Sequence, residues 1–431
     1  MKIESLYLKF KESSSVSTDT RNLPKDCMYF ALKGDNFDGN KFLPQAFVGG
    51  AKYCVTDDKN AVINKNCILV DNVLTTLQEL ASLHRTRIGI PIIALTGSNG
   101  KTTTKELINS VLSSQFSVKA TIGNLNNHIG VPLTLLRFTQ ELDFGIVEMG
   151  ANHQKEIAFL SQIAKPDYGL ITNFGKAHLE GFGSVEGVIK GKSELYDYLK
   201  EHNQTLLINS DDATQVKQMD GYSKTITFGK DTKNDCVIEF ISANPFVSVL
   251  FDGTHLNSQL IGDYNYQNIA VAIALGKHFK VSTENIKKAI EDYQPTNNRS
   301  QIIQKGSTKI ILDAYNANPT SMLAALKNLN QLDEGTNKYL FLGDMLELGT
   351  HAEQEHQAIV KYVETNFKHH IYLIGQNFYN TKTLETTHKF SSFENLKPKL
   401  ESLHLNDATI LIKGSRGMAL ERILNYINLT P

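Results

Sequence analysis

The residues with the most chemical capacity stand together in Gly97-Ser98-Asn99-Gly100-Lys101-Thr102-Thr103. Paired glycines let backbone N–H groups crowd an anion, and the lysine adds positive charge. The hydroxyl beside it suits a divalent cation. In this order the residues read as a phosphate loop for a nucleoside triphosphate. Lys101 would lie along the β- and γ-phosphates, and Thr102 would offer its hydroxyl to Mg2+. The spacing is a short form of the motif: the general pattern places a glycine where this chain has Leu95. An ordinary glycine-rich turn would have no structural need of the Lys-Thr pair.

Such a loop needs a strand to deliver it and a helix to leave it. Residues 91–96 form a short apolar run of the kind found in buried parallel strands. Leu107, Ile108, Val111 and Leu112 then recur at helical spacing. Strand-like runs at 144–147, 168–172 and 205–209 alternate with helical segments. That alternation predicts a parallel sheet with ligands at the carboxyl ends of its strands. Glu148 ends one strand, Asn173 ends the next, and His178 follows shortly after. Loops after parallel strands meet over one site, so Glu148 and His178 are expected to serve the nucleotide metal. A helix predicted over 185–199 carries Lys190, read as solvated, and Lys192.

The chain divides into three expected α/β domains: 1–83, 84–298 and 299–431. The first alternates short strands and helices. Its clusters Asp19-Thr20-Arg21 and 33–39 suit an anionic or uracil-bearing ligand, or are ordinary polar turns. The second holds the phosphate loop on a central parallel sheet and gains a small β extension over 222–262. Asn268, near the start of the following helix, either reads an adenine edge or caps. Residues 295–299 read as a linker. The third domain reads as doubly wound and Rossmann-like, with strands at 310–312, 339–342, 371–374 and 409–412, yet no GxGxxG opens it. Polar clusters end its strands: Asp313-Ala314-Tyr315-Asn316-Ala317-Asn318-Pro319, residues 343–349, and Lys413-Gly414-Ser415-Arg416-Gly417. Clusters so placed form a binding crest.

Composition narrows the class. The chain has 431 residues, 41% of them hydrophobic, and a formal net charge of −1, enough for several cores and too little basic charge for nucleic acid. No apolar run reaches bilayer length, and the first residues lack the apolar stretch of a signal peptide. Cys27, Cys54, Cys67 and Cys236 show no metal spacing, so they read as reduced thiols in a cytoplasmic protein, expected to be monomeric.

These motifs resemble the Mur ligase family of peptidoglycan synthesis along essentially the whole chain. The pieces are Asp19-Thr20-Arg21, residues 31–35, the phosphate loop, Gly123-Asn124-Leu125-Asn126-Asn127 with residues 130–134, and residues 148–151. They continue through Ala177-His178-Leu179-Glu180, Tyr315-Asn316-Ala317-Asn318-Pro319, Gly343-Asp344-Met345 and Lys413-Gly414-Ser415-Arg416. The Tyr-Asn-Ala-Asn-Pro element and the Asn-Asn-x-x-Gly-x-Pro-Leu-Thr run resemble the branch that joins D-alanyl-D-alanine to UDP-N-acetylmuramoyl-tripeptide. The resemblance implies an ATP- and Mg2+-dependent amide ligase working through an acyl phosphate. It implies that Lys192 is carbamylated and holds a second Mg2+ beside Glu148 and His178. Asn268, Arg299 and Asp313 would contact the nucleotide with residues 97–103. Thr20 and Arg21 would meet the UDP-muramyl ligand, and Asn126, Asn127, Tyr315, Asn316, Asn318, Lys413, Ser415 and Arg416 would line the substrate path. Tyr264 and Ala314 depart from the family's usual His and Ser, so no role passes to them. Two other readings are a Mur-type ligase adding a single amino acid, and a phosphate-loop ATPase acting as a switch or binding protein.

Overall fold

A computed structural model describes residues 2–295, 298–332, 337–368, 370–403 and 405–427. Thr296 and Asn297 of the expected linker lie outside the described residues. The phosphate-loop strand Ile92–Thr96 is buried at every position, as its apolar run requires. It sits inside a nine-stranded sheet in the order Val118–Ala120, Phe144–Glu148, Ile92–Thr96, Tyr168–Ile171, Thr205–Asn209, Thr225–Gly229, Cys236–Ser242, Phe246–Phe251 and Thr254–Ile261. The pairings from Val118–Ala120 to Cys236–Ser242 are parallel, and the last two are antiparallel. The outer strand Thr254–Ile261 is covered by the helix Thr283–Glu291. Asn257 N–H donates to the Glu291 carboxylate at 2.9 Å, and Lys287 Nζ donates to His255 O at 2.9 Å.

A smaller parallel sheet carries Val16–Ser17, Met28–Phe30, Tyr53–Thr56 and Cys67–Leu69. The last third builds a six-stranded sheet in the order Gln301–Lys305, Thr308–Asp313, Ala408–Lys413, Asn337–Gly343, Ile371–Ile374 and Thr387–Phe390. Only its first pairing is antiparallel. The mixed α/β class and three sheet-centred parts agree with the sequence reading.

The boundary drawn at 83/84 falls inside the helix Val73–Ile88. Its apolar face joins Leu6 and Phe10 to Leu77, Leu80 and Ala81 in one core cluster. Arg85, near its end, donates to Ala164 O at 2.9 Å and to Asp167 at 2.7 Å. Asp167 also accepts the Ile92 N–H at 2.7 Å, so the helix is clamped to the start of the phosphate-loop strand. A linker here would leave those polar groups unpaired.

Candidate active site

Gly97 and Gly100 adopt φ values of +144° and +79°. A Cβ at Gly97 would stand 2.0 Å from Thr172 Oγ1, and one at Gly100 would stand 2.4 Å from Asn268 Oδ1. Both positions therefore exclude a side chain, and the loop can turn sharply against its neighbours. Those neighbours hold it in place. Ser98 N donates to Asn173 O at 3.0 Å, Asn99 N to Asn173 Oδ1 at 3.1 Å, and Thr172 Oγ1 to Asn99 O at 2.6 Å. The helix Lys101–Ser113 begins where the loop ends. Lys101 Nζ reaches back to Gly97 O at 2.7 Å. Burial lowers the Lys101 ammonium's pKa, which Glu148 opposes and Arg299 reinforces.

Glu148 ends its strand with 2% exposure. Thr102 Oγ1 donates to its carboxylate at 3.0 Å, and Asn126 Nδ2 donates to the other oxygen at 2.8 Å. Its N–H donates to Thr121 Oγ1 at 3.0 Å, which fixes the strand end. Asn127 instead accepts from Ile129 N and Gly130 N, turning the chain into the helix Gly130–Leu135. The Asn268 carboxamide is committed as well: its oxygen accepts from Thr104 at 2.9 Å, and its NH2 donates to Asn265 at 2.8 Å. It braces the loop from behind.

These residues open on a cleft of about 1640 Å³ that reaches from the phosphate loop to the last third of the chain. Ser98 through Thr103, Asn126, Asn127, Glu148, His178 and Asn268 line one side; Arg299, Asp313, Tyr315, Asn316, Lys413 and Arg416 line the other. The Arg299 guanidinium lies 3.7 Å above the Tyr315 ring centroid, and Arg416 lies 5.8 Å from it. Lys413, 1% exposed, donates to Asp313 at 2.5 Å, and Asp313 also accepts from Ser300 N at 3.1 Å. Ser415 lies behind the wall, 3% exposed, and accepts from Leu346 N at 2.9 Å. Asn318 caps the helix Pro319–Gln331, and its Nδ2 donates to Asn99 Oδ1 at 2.7 Å. Thr20 and Arg21 are not among the residues lining the cleft. Arg21 is exposed and grips Asp19, holding that carboxyl down at about 2.

His178 sits at φ +52° at the start of the helix Leu179–Phe182, and its Nδ1 pairs with the Glu347 carboxylate. That histidine holds the Glu347 pKa below the ordinary carboxylate value against burial. Glu347 went unassigned in the sequence. It belongs to the 343–349 cluster, but only the approach of a distant loop gives it a partner. Lys176 N–H donates to Thr320 Oγ1 at 3.0 Å, and Lys176 Nζ to Glu355 at 2.6 Å, across the same seam.

Lys192, expected as a metal position, is 0% exposed. Its Nζ donates to Ala151 O at 3.0 Å and lies 5.0 Å from the Phe182 ring centroid. Burial first, and the nearby Lys101 charge second, push its pKa well below the ordinary lysine value. The hydroxyl of Thr102 and the carboxylate of Glu148 form a hard oxygen pair of the kind Mg2+ takes. Among the described residues no three His, Cys, Asp or Glu side chains gather into a metal site.

Sequence comparison adds the family. Residues 95–276 match the Mur ligase middle domain, and residues 298–416 match the Mur ligase, glutamate ligase domain. The UDP-N-acetylmuramoyl-tripeptide–D-alanyl-D-alanine ligase of Bacillus subtilis is 36% identical over 96% of this chain and 93% of its own. The chain belongs to the Mur ligase family. The Escherichia coli enzyme of the same name is 33% identical over 96% of this chain and 93% of its own. A crystal structure of MurF from Acinetobacter baumannii superposes with a TM-score of 0.87, at 29% identity and 98% of each chain. The MurF ligase of Thermotoga maritima, solved in complex with ADP, gives 0.83 at 25% identity over 97% of each chain. In this chain the phosphate-loop Lys101, the buried Glu148 and His178 all line the cleft.

Proposed function

We propose that this protein joins D-alanyl-D-alanine to UDP-N-acetylmuramoyl-tripeptide with ATP, in peptidoglycan precursor synthesis in the cytoplasm. The observation carrying the proposal is the convergence of Lys101, Thr102 and Glu148 on a cleft whose far wall is the Tyr315-Asn316 segment. The names and near-complete coverage of the relatives support the choice of substrates. No helix among the described residues is long and apolar enough to cross a membrane.

A free carboxylate is a poor electrophile. Transfer of the γ-phosphoryl to the tripeptide carboxylate gives an acyl phosphate with a good leaving group. The amine of the dipeptide then attacks the carbonyl carbon, and phosphate departs from the tetrahedral adduct. Lys101 and the loop N–H groups stabilise charge on the phosphate oxygens. Thr102 and Glu148 would hold Mg2+, with His178 and a carbamylated Lys192 for a second ion; bound there, the metal offsets phosphate charge. Carbamylation bonds the amine nitrogen to the carbon of CO2 with loss of a proton, and a buried uncharged amine favours it. Arg299 and Asp313 fix the nucleotide side of the seam, Asn268 braces the loop, and Asn126, Asn127, Asn316, Lys413 and Arg416 face the peptide partners. Thr20 and Arg21 receive the UDP end. The far wall shields the acyl phosphate from water.

The deciding measurement is phosphate release from ATP with the UDP-linked tripeptide, with and without D-alanyl-D-alanine. Release that requires the dipeptide, with a new amide by mass, supports the reading. Equal release with a single amino acid supports the narrower relative, and release with no acceptor supports an ATPase switch. Sedimentation at the assay concentration tests the monomer.

A further inference from the structure

We infer that Glu347 is a positioning residue that sets the His178 ring from across the cleft. The loop carrying it is braced at successive residues. The Asp344 carboxylate accepts from Asn377 N and Phe378 N, both at 2.9 Å. Met345 N donates to His356 Nε2 at 3.0 Å, and Leu346 N donates to Ser415 Oγ at 2.9 Å. Leu348 is 2% exposed. Between these anchors Glu347 holds φ at +62°, a conformation a non-glycine residue adopts only when its surroundings impose it. The imposed backbone serves two contacts with the same segment: Glu347 O accepts from Glu180 N at 3.2 Å, and the Glu347 carboxylate meets His178 Nδ1. That nitrogen is shut off from solvent.

A carboxylate accepts, so the nitrogen facing it bears a proton. Nε2 is then left with its lone pair, the form of imidazole able to ligate a cation. Because Glu347 belongs to the last third of the chain and His178 to the middle, the ring is set only when the two parts are docked. The inference rests on the proposed function for its link to turnover, but not for its tautomer.

The test uses full-length protein with 15N-labelled histidine at pH 8. His178 is assigned by the resonance lost in His178→Gln. In the parent protein its proton is expected on Nδ1; in Glu347→Ala it moves to Nε2, and the Mg2+ concentration for half-maximal activity rises about 10-fold or more. KM for the dipeptide stays within two-fold. Glu347→Gln, nearly isosteric, guards against misfolding: its carboxamide oxygen still accepts, so the Nδ1 proton is expected to stay and the Mg2+ dependence to move less than in Glu347→Ala. Glu355→Ala removes a neighbouring ion pair and leaves the tautomer unchanged. An unaltered Nδ1 proton in Glu347→Ala, or an unmoved Mg2+ dependence in an active enzyme, overturns the inference. A parent protein inactive as a ligase overturns the proposed function, while the tautomer result still stands or falls alone.

Discussion

Lys101 is held by loop carbonyls and Glu148 by two donors, so each has little freedom to drift. Replacing either with alanine removes charge stabilisation rather than shape. Lys101→Ala and Glu148→Ala should each lower dipeptide-dependent phosphate release by roughly 10²–10³-fold or more. Near-parent turnover in either would show the phosphate and metal assignment to be wrong. Lys192→Ala should lose activity and regain part of it with added formate or acetate, which can supply the missing oxygen donor. Unmodified Lys192 by intact mass, or no rescue at any acid concentration, would exclude the carbamate. The phosphate loop, Glu148 and His178 were legible because their meaning depends on local spacing. Glu347 was not, since its meaning depends on what stands opposite. The committed carboxamide of Asn268 was likewise hidden: sequence left capping and base reading open, and the partners Thr104 and Asn265 appear only in three dimensions.

At the level of elements, strong apolar runs were readable and weakly patterned ones were not. The strands Ile92–Thr96, Phe144–Glu148 and Thr205–Asn209 follow their sequence signal closely. The helix Ile3–Lys11 and the edge strand Gln301–Lys305 gave little signal, because each buries only a narrow face. The helix Val73–Ile88 hid a boundary because its apolar face lies in one core cluster shared by the first and middle parts. The helix Ala352–Asn366 carries a buried histidine with a separate consequence. His356 is fully buried, and burial outweighs the nearby Ala352 carbonyl and the Asp344 and Glu355 carboxylates to lower its pKa from the ordinary 6.5. Its Nε2 accepts from Met345 N, so the neutral ring is the structural one. The unfolded chain therefore binds more protons below pH 6.5 than the folded chain does, and stability falls as pH drops through that value. Thermal unfolding should show a lower Tm at pH 5 than at pH 7, and His356→Gln should flatten that dependence. An equal slope in the variant would assign the acid sensitivity elsewhere.

For the whole molecule, the seam between the middle and last thirds carries polar links: Asn99 to Asn318, Lys176 to Thr320 and Glu355, His178 to Glu347. Polar links of this kind give way more readily than apolar packing. Thr320→Ala combined with Glu355→Ala should raise the radius of gyration in solution scattering, while stability changes by only about 1 kcal/mol. A tripeptide–nucleotide mixture should reverse the expansion; a double variant that stays as compact as its parent would show that the apolar packing holds the seam. Sequence named both walls of this cleft but not the bonds that bring them together.

The covered margin of the large sheet has a consequence for life in a crowded cell. A bare outer strand invites a newly made neighbour to add its own, and such additions grow into aggregates. Here Glu291 and Lys287 occupy backbone groups of Asn257 and His255 that a stranger would need. One short helix thus closes this margin to a second copy of the chain while ribosomes are still releasing more of them.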